Sequence, residues 1–168
     1  MVSQFVFRRN EKMFELTIAR RHHAQEIAAL SRDHIEAGLG WTWTPSRVTA
    51  NIDNPDDVVL IGVDGNHLAG FAIMHFGLEE ARLNLIAVKP EYQHKGLGQE
   101  LIHWLEKSAL TAGISVIYLE VRASNQRALA FYRKLNYRQI AVMPGYYGGR
   151  ECAHQMAHNL CPQVPSAS

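Results

Sequence analysis

Leu85-Ile86-Ala87-Val88-Lys89-Pro90-Glu91-Tyr92-Gln93-His94-Lys95-Gly96-Leu97-Gly98 is the stretch whose reading decides the fold. Its apolar start ends a strand that opens near Arg82. Behind the loop, Leu97, Leu101, Leu105 and Ala109 recur four apart, which predicts a helix with one apolar stripe turned to a sheet. Gly113 is its stop. A glycine loop at a helix start leaves backbone N–H groups unpaired, and the helix dipole adds partial positive charge, so the pair suits phosphate. No Lys-Ser/Thr follows the glycines, so this is not a P-loop. Leu101 occupies the place of the third glycine of a dinucleotide fingerprint.

Outward from this unit, strand and helix signals alternate. Phe14, Leu16 and Ile18 predict a strand over Met13–Arg20, and Ile27, Leu30 and His34 a helix within His22–Ala37. Thr44-Pro45 reads as a capping hydroxyl followed by proline at the first helical position, with the helix ending near Asp53-Asn54-Pro55. Asp57–Val63, His67–Phe76 and Arg82–Val88 read as strands, the first two joined by Asp64-Gly65-Asn66. Ser115–Val121 is a β-branched, buried strand and Ser124–Leu135 a helix. Strands around Arg138–Met143 and Glu151–Leu160 close the pattern, with Tyr146-Tyr147 in the turn between them. The class is mixed α/β.

Composition sets the bounds. The 168 residues suit one domain, expected over residues 13–160 between a leader, 1–12, that is loose or an extra strand, and a flexible tail, 161–168. Lys plus Arg number 17 and Asp plus Glu 16, a net charge of +1. That balance argues against a coat for nucleic acid or anionic membrane. Cys152 and Cys161 are too few for a disulfide framework or a four-thiolate zinc site, and no run of about 18 apolar residues marks a membrane span. The first residues lack the apolar core of a secretory signal, so a cytoplasmic location is the expectation. His154 and His158 fall on a strand, where four residues span about 13 Å, too far for one metal ion. No metal site is expected.

Gln93-x-x-Gly96-x-Gly98 after Ala87-Val88-Lys89-Pro90, then Leu119-Glu120-Val121-Arg122-Ala123-Ser124-Asn125, Ala128, Phe131-Tyr132 and Leu135-Asn136-Tyr137, resembles the GCN5-related N-acetyltransferases (GNAT). The likeness runs on through Tyr146-Tyr147 and Glu151–Met156, and the second half is most similar to the ribosomal-protein-alanine N-acetyltransferase branch. The resemblance implies a twisted, mostly antiparallel sheet of six or seven strands with splayed central parallel strands and about four flanking helices. It implies acetyl-coenzyme A (acetyl-CoA) as cofactor. The pantetheine arm would pair near Ala87 and Val88 and be held by Asn125 and Ala128. The pyrophosphate would lie on Gln93, His94, Lys95, Gly96, Leu97, Gly98 and Gln99.

The same resemblance makes Glu120 the general base and Tyr132 the general acid. An acid inside Val116-Ile117-Tyr118-Leu119-Glu120-Val121 also needs a partner on physical grounds, and Arg122 or a backbone group is the alternative employment. The alternative for Tyr132 is a core place on its helical stripe, and for Asn125 a helix-start place beside a Ser124 cap. Trp41 and Trp43, with Tyr146 and Tyr147, would wall the acceptor site or serve loop packing. The implied acceptor is a protein or peptide N-terminal amine. Against that branch, the loop after Tyr147 is short, Cys152 replaces an acidic residue, and Leu85 an asparagine. A small amine (amino acid, polyamine or amine drug) is the alternative substrate, and a non-catalytic acyl-CoA sensor the alternative class. Neither nucleic acid nor membrane is expected as partner, and the chain is a monomer or homodimer.

Overall fold

A computed structural model describes residues 13–161. The expected leader and nearly all of the expected tail lie outside these residues. Along the chain run β1 (Glu15–Ile18), α1 (Ala24–His34), α2 (Pro45–Asp53), β2 (Asp57–Asp64), β3 (His67–Phe76) and β4 (Glu80–Val88). Then come α3 (Leu97–Thr111), β5 (Val116–Arg122), α4 (Gln126–Lys134), β6 (Arg138–Tyr147) and β7 (Glu151–Asn159). The strands form a 7-stranded sheet in the order β1-β2-β3-β4-β5-β7-β6. Neighbours are antiparallel except β4 and β5, which are parallel. This is the architecture the resemblance implied. No helix of the described residues is long and apolar enough to cross a membrane.

Local chemistry accounts for the boundaries. Thr44 caps α2 through its hydroxyl, which accepts from Arg47 N–H at 3.4 Å, and Pro45 follows at the first helical position. Gly65 takes φ 58° in the turn before β3. Tyr146 and Tyr147 end β6, where a turn was expected. Aromatic side chains favour strand, and Gly148 and Gly149, at φ 61° and 71°, carry the turn. The helix expected over His22–Ala37 is shorter, Ala24–His34, after a 3-10 turn at Arg21–His23.

Helices cover both faces of the sheet. On one, Leu97, Leu101, Leu105 and Ala109 of α3 and Leu129 of α4 pack on Leu60, Met74, Leu83, Ile117, Leu119 and Met156. On the other, Ile27 and Leu30 of α1 and Val48 of α2 pack on Ile61, Phe71, Ile73, Leu85 and Ala87. Leu83 and Leu85 share a parity yet belong to opposite faces. Between them the register shifts, Ile73 opposing Leu85 and Met74 opposing Leu83, which leaves Asn84 as an extra residue. This β-bulge turns β4 over in mid-strand. Leu105 is fully buried, so Leu105→Ala is expected to lower the unfolding free energy by about 2–5 kcal/mol. A urea titration that moves by much less would show α3 to be loosely packed.

Candidate active site

The site begins where two strands part. β4 and β5 pair only from Glu80↔Val116 to Leu83↔Leu119. Beyond that, β4 stays with β3 as far as Val88, and β5 stays with β7 as far as Arg122. The segments after Leu83 and Leu119 therefore diverge, and each turns one backbone edge toward the gap. Ala87 is buried along this edge. Val88 ends it, and its carbonyl accepts a hydrogen bond from Gln93 Nε2 at 3.0 Å. Gln93 thus tethers the following loop to the strand end.

That loop carries a donor array. His94 and Gly96 take the left-handed conformation, with φ 61° and 87°. The first amide of the helix to find a carbonyl is Glu100, bonded to Gly96 O at 3.0 Å. From His94 through Gln99, no amide N–H is bonded to a backbone acceptor among the described residues. Such a run at the start of a 15-residue helix fits a pyrophosphate. A Cβ on Gly96 would meet nothing within 4 Å, so its role is backbone conformation. One on Gly98 would lie 3.2 Å from Phe131 Cζ, so Gly98 lets α4 close on α3. Lys95 Nζ stands 5.7 Å from the Tyr92 ring centre, and Arg127 Nη2 lies 3.0 Å from His94 Nε2.

At the start of α4, Asn125 is itself the N-cap. Its Oδ1 accepts from Ala128 N–H at 3.1 Å, whereas Ser124, the expected cap, gives its hydroxyl to Glu151. An amide oxygen and a hydroxyl can both cap, and the Glu151 carboxylate draws the serine away. Ala128 packs against the core.

Glu120 and Tyr132 lie on opposite faces of the sheet. The Glu120 side chain is only 8% exposed, and Arg82, on β4, is its ion-pair partner. Gln155, directly across on β7, reaches Glu120 Oε1 through Nε2 at 3.5 Å. Arg122, the partner weighed from sequence, instead binds Glu151, Nε to Oε2 at 2.8 Å. Adjacent strand residues point to opposite faces, but Arg122 and Glu120 share one. Arg122 lies at the strand end, where Glu151 is in reach, while Arg82 stands beside Glu120 across the β4–β5 seam.

Tyr132 is buried, edge-on to Phe131 and Tyr137, with ring centres 5.2 and 5.6 Å away. Burial, then Tyr147, pushes its phenol well above the ordinary tyrosine range. Burial, then Tyr146 and Glu120, does the same to Tyr147. Tyr146 is raised by burial and by Glu120. The structure thus groups Glu120, Tyr146 and Tyr147, with Tyr147 also felt by Tyr132. All three phenols are neutral donors near pH 7.

The tryptophans divide. Trp43 is buried in the core, with the Arg47 guanidinium 3.8 Å over its ring. Trp41 is 41% exposed. Two residues tied to this region escaped the sequence reading. Arg82, a charge between apolar Ala81 and Leu83, carries the same signal that exposed Glu120. Glu36 carries none: it closes α1, is 8% exposed, and accepts hydrogen bonds from the loop beyond. Among the described residues no group of three or more His, Cys, Asp or Glu side chains could hold a metal.

Against known proteins, the model of the acetyltransferase (GNAT) family matches residues 19–137. The [ribosomal protein bS18]-alanine N-acetyltransferase of Escherichia coli (strain K12) is 42% identical over 93 residues, covering 54% of this chain. The chain spans 63% of that relative's length. An N-alpha-acetyltransferase of Saccharolobus solfataricus is 43% identical over 76 residues, covering 45% of this chain and 46% of its own. Among solved structures, the ribosomal-protein-S18-alanine N-acetyltransferase from Escherichia coli superposes with a TM-score of 0.75 at 29% identity, over 93% of this chain and 99% of that one.

Proposed function

Because the chain belongs to the GNAT family of acetyltransferases, we propose that it transfers an acetyl group from acetyl-CoA to the α-amine of a protein N-terminus. The observation that carries this reading is the continuity of the site. A run of unpaired amides at the start of α3 leads along the parted β4 and β5 edges to Glu120 and the tyrosines. The relatives that act on N-terminal alanine and on α-amines support the acceptor. So does the rim, where Trp41 and Tyr146, 41% and 46% exposed, suit an extended peptide better than an enclosed small molecule. A ribosomal-protein N-terminus, met in the cytoplasm, is the substrate class this favours.

Acetyl-CoA, when bound, supplies an activated acyl group on a good leaving thiol. The amides of His94–Gln99 would hold its anionic part, and the strand edge at Ala87 and Val88, with Asn125 at the start of α4, would orient the arm. Glu120 takes the proton of the incoming ammonium at its carboxylate, since only a neutral amine attacks. Tyr132 Oη holds the proton that the leaving sulfur needs. Arg82 and Gln155 both hold Glu120 through Oε1, and among the described residues no hydrogen bond is made to Oε2.

The experiment is a peptide array with varied N-terminal residues beside a panel of amino acids, polyamines and amine drugs, read as acetyl gain by mass. Turnover of peptides with small N-terminal residues is expected. Turnover confined to free small amines overturns the acceptor, and tight CoA binding with no turnover on any amine makes the chain a sensor.

A further inference from the structure

On the proposed reading the acceptor end of the site has two walls: the connection from α1 to α2, which carries Trp41, and the β6–β7 hairpin, which carries Tyr146 and Tyr147. One side chain holds both. Arg122, the last residue of β5, donates from Nε to Glu151 Oε2 at 2.8 Å, at the hairpin end. From Nη1 it donates to the Ala37 carbonyl at 3.0 Å, 85 residues away in sequence. Ser124 gives its hydroxyl to the other oxygen of Glu151, and Arg122 Cζ lies 6.0 Å from the Tyr147 ring centre. Ser124, then Arg122, holds the Glu151 carboxyl below the usual carboxylate range, so it stays charged at neutral pH.

The α1–α2 wall is itself closed into a ring. Glu36 Oε1 accepts from Thr42 N–H at 2.8 Å and from Thr42 Oγ1 at 2.6 Å. Its Oε2 accepts from Trp43 N–H at 3.2 Å and from Ser31 Oγ at 3.3 Å. This buried acid therefore ties the end of the loop to its beginning, one residue before the Ala37 carbonyl that Arg122 grips. A guanidinium can serve two acceptors in fixed directions, which a lysine ammonium does less well.

We propose that Arg122, supported by Glu36, is a positioning residue for the acceptor: it couples the two walls of the groove and sets the gap between them. The proposal rests on the reading of this groove as the acceptor site. Arg122 touches none of the reacting atoms, so its effect falls on how the acceptor is held. Loss of charge-assisted bonds of this kind weakens what they hold by about tenfold or more.

The test compares wild type, Arg122→Ala, Arg122→Lys and Glu36→Gln. For Arg122→Ala, KM for the acceptor peptide is expected to rise about tenfold or more. Its kcat changes less, and the Kd for CoA stays within about twofold. Arg122→Lys is expected to recover part of the loss. An unchanged acceptor KM, or a loss shared equally by CoA affinity, overturns the proposal. Hydrogen exchange provides a readout independent of turnover. Arg122→Ala should quicken exchange in residues 37–43 and in residues 144–151 together, leaving residues 94–99 as they were. Quickening in one wall alone overturns the coupling even if the chain acetylates no amine. Coupled quickening with no turnover leaves the coupling standing and removes the acceptor reading instead.

Discussion

Glu120→Gln is expected to lower kcat on an N-terminal peptide at pH 7 by about 10²–10⁴-fold, the usual worth of a general base. The substitution keeps the size of the side chain and one oxygen for Arg82 and Gln155. Arg82 is 41% exposed and, deprived of its counter-charge, remains hydrated, so the fold survives. CoA binding, which depends on the amides of α3, is expected to stay within about twofold. The pH profile identifies the role. A free α-amine loses its proton near pH 7.7–8.0, so above about pH 9 the acceptor arrives already neutral. The deficit of the variant should therefore shrink as pH rises through 8. With a lysine side chain as acceptor, it would persist to above about pH 10. A deficit that ignores pH in both cases means that Glu120 only holds Arg82 in place.

The second large effect belongs to Tyr132→Phe, expected to cost about 10²–10³-fold in kcat, as removal of one donor from a developing anion does elsewhere. Phenylalanine preserves the edge contacts with Phe131 and Tyr137. Because burial, and then Tyr147, hold the phenol protonated, the wild-type residue is a neutral hydrogen-bond donor near pH 7. The measurement is single-turnover acetylation at saturating acetyl-CoA, beside calorimetry of CoA binding. Loss of affinity with the chemical step unaltered would make Tyr132 a packing residue.

The sequence carried the local part of this site plainly. The strand, glycine loop and helix from Leu85 to Ala109 are written in contiguous periodicity, and β3 begins and ends at the residues expected of it. What stayed hidden depends on contacts between distant residues. Glu120 announced that it needs a partner, but not that Arg82, 38 residues earlier, supplies it. Arg122 reaches Ala37 only because the sheet brings the end of β5 beside the end of α1. The Asn84 bulge leaves no mark in composition, since Leu83-Asn84-Leu85 alternates like any strand. Glu36 reads as one more acid on a helix, and its hydrogen bonds exist only once the loop turns back upon it.

The parting of β4 and β5 has a mechanical consequence. In the terms of a materials engineer, the sheet contains a crack, with its tip at Leu83 and Leu119, which are 3% and 1% exposed. Lengthening the crack would mean pulling Ala81 from Ile117 within the packed interior. Closing it would require the β3–β4 and β5–β7 parts of the sheet to swing together, since the outer edge of each lip is already paired. The fissure is therefore arrested at its tip, and each of its lips is backed by a paired strand. A flat molecular arm can slide in without breaking a strand pair, which lowers the conformational cost of its entry.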